Sequence, residues 1–159
     1  MKVIYLIGSL IAAGTLWSAS LEGTRFVHNS HGGRTLFVPA KPETFTPAER
    51  AASERARQQS GSAPHAGEVY YKKGVNAPAF RYVTSGRIVV RFSKTEAPDP
   101  EAFARANGLL YRRSVGIGGK SAVFLNQSDE DDIAKANSLL GQANVLSAEP
   151  DWVLPVKLY

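Results

Sequence analysis

Residues 78–159 predict an α+β domain in which an antiparallel sheet carries two helices on one face. Three observations lead there: short β-branched and aromatic runs, two capped helix starts between them, and glycine or asparagine at the ends of the helical stretches. The resulting order is β-α-β-β-α-β within about 80 residues, the split βαβ or ferredoxin-like arrangement.

The first strand is the run from Gly86 to Phe92, rich in Ile and Val. Asp99-Pro100-Glu101 then opens a helix with an N-cap and a helix-start proline, and Asn107-Gly108 closes it. Leu109 to Val115 is the second strand, Gly116 to Lys120 a glycine turn, and Ser121 to Leu125 the returning strand. Ser128 is the expected cap of the next helix. Asp129, Glu130, Asp131 and Asp132 fill its first turn, where the helix dipole favours anions. Ile133, Ala136, Leu139 and Leu140 recur at helical spacing until Gly141, and Val145-Leu146 leads a last strand toward Trp152 and Leu154. The expected core is Ile88, Val90, Phe92, Phe103, Leu110, Val123, Leu125, Ile133 and Leu140.

Upstream, the chain changes character. Residues 1–20 read as a secretory signal, the alternative being an uncleaved N-terminal anchor: Lys2 supplies the charge, Val3 to Leu16 is almost wholly apolar or small, and Ser18-Ala19-Ser20 offers a cleavage site. Export places the protein outside the cytoplasm, secreted or periplasmic, with no membrane attachment once the signal is removed. Residues 21–77 read as a flexible extension. Thr24 to Val27 and Thr35 to Val38 suggest a short hairpin around His31-Gly32-Gly33. Thr46-Pro47-Ala48-Glu49 starts a helix with a capping box, but the helix has no large apolar residue and is expected to be exposed.

Composition narrows the chemistry. With no cysteine there is neither a disulfide scaffold nor a thiolate metal or redox site. A net charge of +5 permits nucleic acid, yet residues 78–159 hold ten Lys and Arg against nine Asp and Glu, and no RNA-binding aromatic motif occurs on the strands. Gly116-Ile-Gly-Gly-Lys120 is followed by a strand and not by the helix a phosphate loop requires. The acidic run at 129–132 is explained by a helix start. His28, His31 and His65 lie in segments that do not fix them around one metal. No nucleophile is paired with an oriented base, so the chain is expected to be neither an enzyme nor a carrier of a cofactor or metal.

The last segment, Val145 to Glu149-Pro150-Asp151 with the largely apolar stretch that follows, is the most specific feature. Together with the strand and helix order it resembles the propeptides of subtilisin-like serine proteases, over roughly residues 78–159. The resemblance implies a sheet that packs on the protease, acting as folding chaperone and inhibitor. It implies that Glu149 and Asp151 cap the N-termini of two protease helices. Val156, Lys157, Leu158 and Tyr159 would lie in the substrate cleft as an added strand, with Tyr159 in the primary specificity pocket and Val156 in the apolar pocket three residues upstream. With no catalytic domain after Tyr159, the expectation is a free-standing inhibitor, monomeric when free. The alternatives are a truncated pro-enzyme, or an exported ferredoxin-like interaction module that assembles through residues 21–77 and inhibits nothing.

Overall fold

In chain order the elements are β1 (Arg25–His28), β2 (Arg34–Pro39), α1 (Pro47–Ser60), β3 (Val69–Lys72), β4 (Arg81–Phe92), α2 (Pro100–Ala106), β5 (Leu109–Val115), β6 (Ser121–Asn126), α3 (Asp132–Leu140) and β7 (Val145–Val153). The structure is a computed structural model that describes residues 25–28, 33–93 and 97–155. The expected signal, His31-Gly32 and Val156 to Tyr159 lie outside the described residues. The fold is α+β, and the strands of the described residues form one antiparallel sheet of seven in the order β1-β2-β3-β4-β6-β5, with β7 also on β4. This order is longer than that of a four-stranded split βαβ sheet, because β1, β2 and β3 continue it on the N-terminal side.

Strand β4 explains how the two parts join. Val83 lies opposite both Val69 of β3 and Val153 of β7, while Val89 lies opposite both Val123 of β6 and Glu149 of β7. One edge of β4 is therefore lined by β7. The other is shared end to end, β3 on its first half and β6 on its second. Between them the β4–β7 register jumps from Thr84↔Trp152 to Ile88↔Pro150, two extra residues on β4. Gly86 makes this bulge possible, with φ +74°. A Cβ there would stand 2.5 Å from Ala63 Cβ. Gly86→Ala is expected to cost about 2–4 kcal/mol, from left-handed strain plus overpacking, read as a lowered urea midpoint.

Helices α2 and α3 share one face. Ile88, Val90, Phe92 and Phe124 of the sheet pack there with Phe103, Ala104, Ala136 and Leu139. Asp99 caps α2 through its bond from the Ala102 N–H. The cap of α3 is Asp131, not Ser128: its carboxylate accepts from the Ile133 and Ala134 amides, whereas the Ser128 hydroxyl donates to Asn126 Oδ1 at 2.7 Å. Leu110, expected in the core, is 41% exposed, because it pairs with Leu125 on the face opposite α2 and α3. Leu140 is only partly buried, at the rim of the core.

Residues 21–77 depart most from expectation. Strands β1 and β2 pair as a hairpin, but they belong to the sheet through β2 on β3. Helix α1 begins with the expected capping box of Thr46 and Glu49. It is not an exposed helix. Ala52 and Ala56 are buried against Val69 and Val83, with Phe45 and Val153 packed alongside, on the face opposite α2 and α3. The stripe is built from alanine and serine, so the helix needs no large side chain and can lie close to the strands. A buried ion pair adds to this: Arg81 Nη1 stands 3.4 Å from Glu49 Oε2.

Candidate docking face on the open side of the sheet

Directly opposed residues in an antiparallel sheet point to the same side, so the register identifies the surface that α2 and α3 leave uncovered. One row runs Val115, Ser121, Arg91, Ser147, and the next Arg113, Val123, Val89, Glu149. A third holds Leu110, Leu125 and Arg87, with Asp151 on β7 beside the β4 bulge. Helix α1 and the turn after it cover one end of this side: Val83 and Val153 lie under α1, and Leu125 under Ala63 and Ala66. Among the described residues, no helix covers the remaining rows.

The chemistry of this surface is mixed. Val123 is buried and Val89 half-buried, which gives a narrow apolar floor. Arg91 and Arg113 are exposed, while the Nε of Arg87 is buried without a hydrogen-bond partner among the described residues. At the edge of these rows, β7 presents Glu149, exposed, and Asp151, half-buried. Trp152 and Pro150, the residues alternating with them, point to the other side, where Trp152 stacks on Phe37 with ring centres 5.0 Å apart. Alternation along β7 thus sends the aromatic inward and both carboxylates outward. Neither carboxylate has a hydrogen-bond or ion-pair partner among the described residues.

Of the six residues that the sequence singled out, the structure brings Glu149 and Asp151 onto one surface. Val156, Lys157, Leu158 and Tyr159 lie outside the described residues; the chain leads toward them through Leu154, which is 60% exposed. The arginines of the open face were missed by the sequence reading. Their signal was the alternation Arg87, Val89, Arg91 within an apolar strand.

A second polar site lies where β3 and β6 meet end to end along β4. A half-open cleft of about 620 Å³ is lined there by Phe45, Arg50, Arg57, His65, Glu68 and Tyr70, among others. Both ring nitrogens of His65 are engaged, Nδ1 with Glu68 Oε1 at 2.9 Å and Nε2 with the Asp129 carbonyl at 2.8 Å. Behind it, the fully buried Asp132 accepts from the Gly86 amide at 3.0 Å and from Asn126 Nδ2 at 3.0 Å. Among the described residues no three His, Asp or Glu side chains are grouped to hold a metal ion, and no helix is long and apolar enough to cross a membrane. Comparison with protein-family models, with curated proteins and with solved structures finds nothing that matches this chain.

Proposed function

We propose that this chain is an exported, prodomain-like inhibitor and folding helper of a subtilisin-like serine protease. The observation that carries the reading is the placement of Glu149 and Asp151. Both project from the side of the sheet that α2 and α3 leave open, and neither is engaged within the described residues. A partner that lays two helix N-termini on this surface finds anions where its unpaired amides need them. We read β7-β4-β6-β5, with α2 and α3 on one face, as the split β-α-β-β-α-β unit of such prodomains. The added strands β1 to β3 are an elaboration of it. Inhibition would be competitive and non-covalent. Sheet docking supplies the affinity, and Val156 to Tyr159 occupy the cleft as an added strand.

Titrating the chain against subtilisin-type proteases tests this directly. The expected result is inhibition that weakens roughly tenfold when Glu149→Ala and Asp151→Ala are combined, since each helix-terminal anion contributes about 0.3–2 kcal/mol. Deleting Val156–Tyr159 should weaken inhibition more, without changing the far-ultraviolet circular dichroism. No inhibition by the intact chain, including of proteases from the same organism, would defeat the proposal. The second reading, an interaction module, is favoured by the cleft at His65, which lies in the part that prodomain docking leaves unused. Binding to a secreted partner without inhibition, weakened by substitutions in that cleft, would select it.

A further inference from the structure

His65 sits in the connection from α1 to β3 and reaches the connection from β6 to α3. It spans the seam where β3 and β6 abut on the same edge of β4. Its two partners are both acceptors. The Asp129 carbonyl has no proton to give, and the second oxygen of the Glu68 carboxylate already accepts from Tyr70 Oη at 2.7 Å. A neutral imidazole has one N–H and satisfies one of these contacts, leaving a lone pair facing a lone pair at the other. Only the imidazolium donates from both nitrogens.

We propose that His65 is a proton-operated clasp: charged, it ties the α1–β3 connection to the β6–α3 connection, and neutral, it releases that tie and loosens the N-terminal strands and α1 from the rest of the sheet. Other hydrogen bonds of the same connection depend on its position. Thr84 Oγ1 donates to the His65 carbonyl at 2.7 Å, the Glu68 amide donates to Thr84 Oγ1 at 2.9 Å, and the Gly67 amide to the Thr84 carbonyl at 2.8 Å.

The surrounding charges set the direction of the response. Glu68 is on the same connection, Tyr70 on β3, Asp131 before α3 and Asp132 at its start. From α1, Arg57 holds the Ala66 carbonyl at 3.4 Å, and Arg50 and Glu54 line the same cleft. Burial pulls the His65 imidazolium down, but its bonds to Glu68 and the Asp129 carbonyl and the charges of Glu68 and Asp131 more than offset this, and it ends above the ordinary histidine value. Burial pushes the Asp132 carboxyl up to about 7, against the pull of its bonds from Asn126 and Gly86 and of the His65 charge. Both groups thus bind protons more tightly folded than unfolded. The stability they contribute is present in acid and is lost as pH rises: for Asp132 from its unfolded value near 3.8 to about 7, and for His65 as it passes its raised folded value. Once both groups have given up their protons, the Asp132 charge feels that of Glu68 with no imidazolium charge to offset it.

The test uses the full chain, with long-range imidazole ¹⁵N spectra and amide hydrogen exchange corrected for intrinsic rates. At about pH 5.5 both His65 nitrogens should carry protons. On going to about pH 8, protection of the Gly67 and Glu68 amides should fall several-fold, while that of the Phe92 amide, bonded to the Lys120 carbonyl far from the seam, holds. His65→Gln should abolish most of that local step, and Asp132→Asn should reduce it. A singly protonated His65 at about pH 5.5, or equal protection of Gly67 at the two pH values, would overturn the clasp. Should either variant fail to fold, the wild-type spectra and exchange rates still decide.

Discussion

Arg81→Ala is expected to destabilise the protein by about 3–5 kcal/mol, seen as a large fall in urea midpoint. Arg81 is 6% exposed, and Glu49, its partner on α1, is fully buried. The guanidinium does more than pair with that carboxylate. Its Nη1 donates to the Thr44 carbonyl at 3.0 Å and its Nη2 to Asn76 Oδ1 at 2.9 Å, so it holds the turn before α1 and the loop before β4 to the sheet. Removing it strands a buried carboxylate whose Oε1 already has no hydrogen-bond partner among the described residues. Glu49 still accepts from the Thr46 amide at 2.6 Å, which cannot by itself compensate a full charge. The double variant Glu49→Leu, Arg81→Met should therefore be less damaged than Arg81→Ala alone, because no unpaired charge remains. A cost below about 1 kcal/mol for Arg81→Ala would mean that α1 opens independently of the sheet.

That outcome bears on what the sequence could reveal. Asp99 with Pro100, and the apolar spacing through Ile133, Ala136 and Leu139, located α2 and α3 because each signal is local. The strands of residues 86–126 were legible for the same reason. The reading of α1 as exposed failed because its buried stripe is Ala52, Ser53, Ala56 and Ser60, which no hydrophobicity pattern distinguishes from a solvated face. Strand β3 was missed because Val69 to Lys72 is only four residues long and follows Gly67 and Glu68, whose place beside Thr84 depends on a long-range contact. The candidate site divides in the same way. Glu149 and Asp151 were singled out from a local motif, and alternation on β7 accounts for their shared side. The clasp was invisible: His65 and Asp129 are 64 residues apart, and the feature that matters is that both of its partners are acceptors.

Phe124→Ala is the substitution expected to rival Arg81→Ala, at about 3–5 kcal/mol, and it probes the other half of the molecule. Phe124 is completely buried on β6 and touches three rings: Phe103 at 5.4 Å between centres, Tyr111 at 6.0 Å and Phe92 at 6.3 Å, the last nearly perpendicular. Truncation loses the transfer energy of the ring and opens a cavity walled by aromatic groups, whose bulk and rigid rings resist collapse into it. Against a total stability of about 5–15 kcal/mol this can leave much of the chain unfolded, so Phe124→Leu, which keeps most of the volume, provides a folded comparison with a smaller loss. The decisive measurement is whether two probes move together. In a Trp17→Phe background, fluorescence reports Trp152, which packs with Phe37, Tyr70 and Tyr82 in a cluster separate from that of Phe124. Circular dichroism reports the sheet as a whole. Since β4 runs through both clusters and β7 spans both along its other edge, the two transitions should coincide and shift equally in Phe124→Leu. Separate transitions, with Trp152 unaffected, would divide the sheet at the Gly86 bulge, the place where His65 is proposed to fasten it.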